Sequence, residues 1–192
     1  MLTLTMDASG KVSAKSVEGS KLTKASSTFL KATQDNCNIV VLKTDGDYRL
    51  DDGAYYRGGA YMGSKMADNG KMVGTNVVNP MVNESLDKIS GIPEGVGILH
   101  DALEDYIGIL DSPGSPPANS TENKKKGYDS AHKKAGELDS RYTDDNGNIE
   151  ISNHTKQRNF ENNKLKSVTE EVTATNKETK ESASWGRFIT QQ

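Results

Sequence analysis

The chain is poor in apolar residues, in aromatics, in histidine and above all in cysteine. Hydrophobic side chains make up 33% and aromatics 6% of its 192 residues. The core must therefore be small, or part of the chain lies outside it. A single cysteine, Cys37, excludes an intramolecular disulfide. Its place just before Ile39-Val40-Val41-Leu42 predicts a buried thiol, since no histidine can be assigned to it as a catalytic partner. No run approaches the roughly 18 apolar residues of a membrane-spanning helix. Positive charge is not in surplus, the formal net charge being -3, so there is no global electrostatic basis for binding nucleic acid. The densest basic run, Lys124-Lys125-Lys126, reads as a solvated loop. Met1 to Thr5 has neither the basic start nor the apolar stretch of a signal peptide. If the protein leaves its cell, a non-classical route or passage as part of a longer polypeptide is expected; otherwise it is expected in the cytoplasm.

What is present alternates between strand and helix signals. Leu2 to Met6 and Lys11 to Ala14 read as a hairpin around Asp7-Ala8-Ser9-Gly10. Residues 20–34 carry an apolar stripe and read as a helix, with Ser20 as N-cap. Asn38 to Lys43 reads as a strand, Asp45-Gly46-Asp47 as a turn, and Tyr48 to Val78 as β structure turning at Ala67-Asp68-Asn69-Gly70. Tyr55, Tyr56 and Tyr61 are taken as sheet residues. Helices follow over Met81 to Ser90, Val96 to Leu110 and Lys125 to Arg141, the last two joined by a loop with three prolines. Asp144 to Asn148 reads as a turn and Ile149-Glu150-Ile151 as a strand. From Thr155 to Ser184 Lys, Glu, Asn and Thr dominate, which predicts a loosely helical arm or a disordered tail. The expected class is α+β: a small, mostly antiparallel sheet packed on a backing helix and on a central helix that carries a metal site. A domain over 1–154 would be followed by a polar C-terminal arm over 155–192.

The chemistry concentrates on the helix around Gly97-Ile98-Leu99-His100-Asp101-Ala102-Leu103-Glu104-Asp105-Tyr106. His100 and Glu104 stand at i and i+4, on one helix face and close enough to share a metal ion. Zinc hydrolases place H-E-x-x-H in this way, with the residue after the first histidine as general base. This chain has H-D-x-x-E, so Asp101 takes the place of the base with a side chain one methylene shorter. A hydrolytic zinc site needs a third protein ligand and an open position. His132 is the better choice, because its helix can fold back after one loop; His154 is the reserve. Tyr106 or Tyr128 could hydrogen-bond an oxyanion. The competing reading makes Asp101, Glu104 and Asp105 a wet helix face, with His100 in an ordinary core hydrogen bond. The segment Gly59 to Gly63 could act as an edge strand that pairs with the backbone of a peptide substrate.

The stretch from Gly58 to about Asn153 resembles a zincin-type metallopeptidase domain found at the C-terminal ends of Rhs-repeat proteins of Bacteroidetes. The resemblance rests on Gly58-Gly59-Ala60-Tyr61-Met62-Gly63, Asn79-Pro80, His100-Asp101-Ala102-Leu103-Glu104-Asp105-Tyr106, Ser112-Pro113-Gly114-Ser115-Pro116-Pro117-Ala118 and Gly127-Tyr128-Asp129-Ser130-Ala131-His132. It covers about half of the chain, and the tail after Thr155 lies outside it. It implies a zincin-like fold and a zinc-dependent peptidase with Zn2+ on His100, Glu104 and His132. It also implies an effector or toxin acting between competing bacteria on a protein or peptide substrate, with an immunity protein or a secretion-system component as partner. Two other classes stand beside it: a zincin-like binding module without catalysis, and a structural component of a secretion or phage-like assembly.

Overall fold

A computed structural model describes residues 1–44, 58–118, 127–139, 149–162 and 164–190. The turns at 45–47 and 144–148, the residues 48–57 with Tyr55 and Tyr56, and Lys124 to Lys126 fall outside this description. The described chain is α+β, with strands β1 (Leu2–Met6), β2 (Val12–Ser16), β3 (Asn38–Thr44), β4 (Gly59–Met66), β5 (Met72–Val78), β6 (Ile149–Glu161), β7 (Lys164–Asn176) and β8 (Ser182–Thr190). Its helices are α1 (Lys24–Gln34), α2 (Pro80–Ile89), α3 (Val96–Asp111) and α4 (Tyr128–Leu138). The strands form three small sheets, in the orders β1-β2, β3-β5-β4 and β6-β7-β8. Among the described residues no helix is long and apolar enough to cross a membrane.

The residues fall into two compact units, one of Met1–Lys43, Ala60–Val77 and Leu99–Tyr142, the other of Thr44–Gly59, Val78–Ile98 and Thr143–Gln192. In the first, β1 and β2 pair antiparallel with Leu4 opposite Ala14. The Asp7 carboxylate holds the turn by accepting from the N–H groups of Ser9 at 2.9 Å and Lys11 at 3.0 Å. Helix α1 begins later than its stripe predicts. Thr23, not Ser20, is the N-cap and accepts from the Ser26 N–H at 3.1 Å. The core joins Ala25 of α1 to Leu103 and Ile107 of α3 and to Ala131 and Ala135 of α4, with Phe29, Leu99 and Leu138 around it. Two glycines let α3 approach the sheet. A Cβ on Gly74 would lie 2.8 Å from Ile109 Cδ1, and one on Gly108 would lie 2.5 Å from the Tyr61 hydroxyl. Cys37 is exposed, contrary to the buried thiol expected; the apolar run it precedes is only half-buried.

In the second unit α2 is capped by Asn79, whose Oδ1 accepts from the N–H groups of Met81 at 3.1 Å and Val82 at 3.2 Å, with Pro80 in the first turn. Near the end of α2, Asp87 accepts from the N–H groups of Gly95 at 2.8 Å and Gly97 at 3.1 Å. It thus satisfies donors that the start of α3 leaves open, and burial pushes its carboxyl above the usual range.

The polar stretch after Thr155 is not helical. It forms the larger part of an antiparallel sheet in which β7 pairs with both β6 and β8. The periodicity is two rather than 3.6. Ser167, Val172, Ala174 and Asn176 of β7 are buried, with half-exposed residues between the last three. The expected strand Ile149 to Ile151 is the start of β6, and α2 packs against β7 and β8.

Candidate metal centre

Helix α3 is apolar on nearly every side, as befits a buried helix. Ala102, Leu103, Tyr106, Ile107 and Ile109 are all buried, and so are three polar residues among them, His100, Glu104 and Asp105. The wet-face reading of Glu104 and Asp105 is therefore wrong. Helix geometry puts His100 Nε2 3.6 Å from Glu104 Oε2. Helix α4 delivers His132 to the same point, its Nδ1 lying 2.6 Å from Glu104 Oε2 and 3.1 Å from His100 Nε2. One ligand atom from each of the three residues falls within 4.8 Å of the others, a group that could hold a metal ion. Bonds of about 2.0–2.1 Å set tetrahedral ligand atoms about 3.3–3.4 Å apart, so the three atoms need only small shifts to become ligands. Two histidines and one carboxylate are also a donor set that suits a catalytic metal, because they leave a coordination position open.

The side chains of His100 and Glu104 are 2% and 3% exposed, that of His132 26%. Among the described residues, the exposed side of the cluster is therefore that of His132. Its ring meets His100 edge-on at 4.8 Å between centroids and stacks on Tyr128 at 5.4 Å. The backbone of His154, the reserve ligand, pairs on β6 opposite Glu171. Asp101 is half-buried on α3, one position after His100. Tyr106 is not free to serve an oxyanion, because its hydroxyl donates to Asp35 Oδ2 at 3.1 Å.

Three features escape sequence reading. Asp105 is fully buried, and neither of its carboxylate oxygens finds a hydrogen-bond partner among the described residues. Burial, and after it the charges of Glu104 and Asp101, push this carboxyl up to about 9. Its position between the apolar residues Ala102, Tyr106 and Ile109 was the one available signal. Tyr61 of β4 is 2% exposed, with its hydroxyl 2.5 Å from Ser115 Oγ and its ring 5.8 Å from that of Tyr128. The free edge expected at Gly59 to Gly63 is in use. The Ser64 N–H donates to Ser115 O at 2.9 Å, and the Ala118 N–H donates to Tyr61 O at 3.0 Å. Residues 115–118 thus lie antiparallel along β4 where a peptide substrate was expected to pair.

Comparison with known protein families, with curated proteins and with solved structures finds no match to this chain.

Proposed function

We propose that this protein is a zinc-dependent hydrolase of the zincin kind, acting on protein or peptide substrates as an effector between competing bacteria. The observation that carries the reading is the convergence of His100, Glu104 and His132, from two helices, on one point. Zinc held there supplies Lewis acidity and brings the pKa of a bound water toward about 7. Asp101 would take the proton, a role supported by its sequence position after the first ligand, where H-E-x-x-H enzymes carry their general base. The sequence resemblance over Gly58 to Asn153 supports the effector role, with an immunity protein or secretion-system component as partner.

The test is metal analysis of protein purified without a metal-binding tag, alongside hydrolysis of an unfolded protein substrate. One zinc per chain is expected, lost in His100→Ala and in His132→Ala but kept in His154→Ala, with measurable turnover in the wild type. A second reading, a zincin-like binding module, is favoured by the low exposure of His100 and Glu104. Zinc at full stoichiometry without turnover on any unfolded substrate decides for it. Absence of bound metal removes the hydrolase reading and leaves the binding module.

A further inference from the structure

The metal cluster is not equally secure on its two sides. His100 and Glu104 are fixed to each other by one turn of α3. His132 depends on where α4 sits and how its own ring turns. Helix α4 also begins without a side-chain cap, at Gly127. Beside its own bonds to Glu104 and His100, the ring is held by a chain of contacts that starts elsewhere. Residues 115–118 are bonded to the outer edge of β4 by two main-chain hydrogen bonds, and the Gly114 N–H adds a third to Ser64 Oγ at 3.0 Å. Pro116 and Pro117 have no N–H to offer a further strand and restrict their own backbone, which makes this segment stiff. Ser115 fixes the Tyr61 hydroxyl, Tyr61 packs on Tyr128, and Tyr128 stacks on His132. The start of α4 seats on the same segment, since a Cβ on Gly127 would lie 3.0 Å from Ser115 Cβ.

We propose that residues 115–118 are a strap that orients the third metal ligand, with Ser115 and Tyr61 as positioning residues acting on His132 through Tyr128. The proposal rests on the metal site described above. It deepens that reading by making ligand geometry depend on whether β4 keeps its strap. Partners of a ligand outside the coordination shell commonly change metal affinity by about 10–100-fold when removed. Such a loss is expected here although neither residue touches the cluster.

The experiment compares wild type with Tyr61→Phe, Ser115→Ala and Gly63→Ala. Tyr61→Phe keeps the buried ring and removes only the hydroxyl. Gly63→Ala lifts the strap directly, because the new Cβ would collide with Ser115 O and Gly63 has a φ of 79°. Two quantities are read: Co2+ affinity from the visible absorption of the bound ion, and the ring resonances of His132 and His100 in metal-free protein. Expected are an affinity loss of about 10-fold or more in Tyr61→Phe and Ser115→Ala, and a shift of the His132 resonances away from their stacked position with those of His100 unmoved. Gly63→Ala should do the same more strongly, and if it fails to fold the other two variants still decide. Wild-type Co2+ affinity in both, or an affinity loss with unmoved His132 resonances, overturns the proposal. If the wild type binds no Co2+, the metal reading fails, and the His132 resonances alone then decide whether the strap orients that ring.

Discussion

Chelation of the metal is the perturbation whose size follows most directly from the structure. The three ligand atoms come from α3 and α4, so an ion bound to them ties two helices of the first unit together. Such an ion binds the folded chain and not the unfolded one, whose ligands stand 28 residues apart between Glu104 and His132. At free zinc about 100-fold above Kd, linkage gives about 2.7 kcal/mol of added stability. For a chain of this size 1 kcal/mol moves Tm by about 2–4 °C, so saturating zinc should raise Tm by roughly 5–11 °C over the chelated protein. The assay is calorimetry or fluorescence melting in excess chelator and again in buffered zinc. His132→Ala is the control, but its own Tm is ambiguous. Removing His132 also strips a 2.6 Å partner from the buried Glu104 carboxylate, which destabilises the chain whether or not metal binds. The informative quantity is therefore the zinc-induced shift within each variant. It should be large in the wild type and near zero in His132→Ala. A full shift in His132→Ala, or no shift in a wild type confirmed to be metal-free at the start, would refute the reasoning.

Three further predictions concern Asp101 and Asp35 in the first unit and Gly97 in the second. Asp101→Asn should keep zinc and lose turnover by at least about 100-fold, the usual range for a general base, while Asp101→Glu should retain or raise it; equal turnover in wild type and Asp101→Asn would place the base elsewhere. Asp35 accepts from the Asn38 amide at 2.9 Å, from the N–H groups of Cys37 at 2.8 Å and Asn38 at 2.9 Å, and from the Tyr106 hydroxyl, which together lower its pKa to about 2. A depressed carboxylate stabilises above its unfolded pKa and loses that increment as pH falls through the folded one, so about 1 kcal/mol, discounted for solvent around the group, should disappear between roughly pH 4 and pH 2 in wild type but not in Asp35→Asn. Acid titration of stability for the two proteins checks the slope. Gly97→Ala would put a Cβ 2.4 Å from Asn83 Oδ1 and 3.2 Å from Asp87 Oδ1, where the carboxylate meets the start of α3. It should cost about 1–3 kcal/mol in denaturant unfolding despite the better helix propensity of alanine.

Which parts were legible in the sequence follows from how local their causes are. Helix α3 is periodic and long, and the meeting of His100 with Glu104 is set by helix geometry alone, so both could be read directly. The choice of His132 over His154 needed a guess that α4 folds back, because the 28-residue separation from Glu104 carries no local signal. The burial of Asp105 was hidden by its chemistry, since a carboxylate beside Glu104 and one turn from Asp101 reads as surface until the apolar Ala102, Tyr106 and Ile109 around it are weighed. The C-terminal sheet was misread for a related reason. Its Lys and Glu content argued for a solvated arm, and that masked the alternation of Val172, Ala174 and Asn176 and the β-branched Thr173 and Thr175 between them. The pairing of 115–118 with β4 was beyond reach, since prolines in a loop announce a stop but not the strand against which it comes to rest.

That pairing changes how a substrate could reach the cluster. A peptide that added itself to the edge of β4 would have to replace the main-chain bonds of Tyr61 and Ser64 and the hydroxyl contact of Ser115, each worth about 1 kcal/mol net. Replacing bonds like for like is not itself prohibitive. The larger consequence is that the incoming strand would release Tyr61, and with it the stack that orients His132. Docking along β4 and an ordered third ligand thus oppose each other. The exposure of the three ligands points the same way, because only the His132 side chain offers appreciable surface. Among the described residues, the exposed side of an intact cluster is that of His132, whose ring stacks on Tyr128 at the start of α4. The specificity of the site would then be set by those two rings, not by backbone pairing along the sheet.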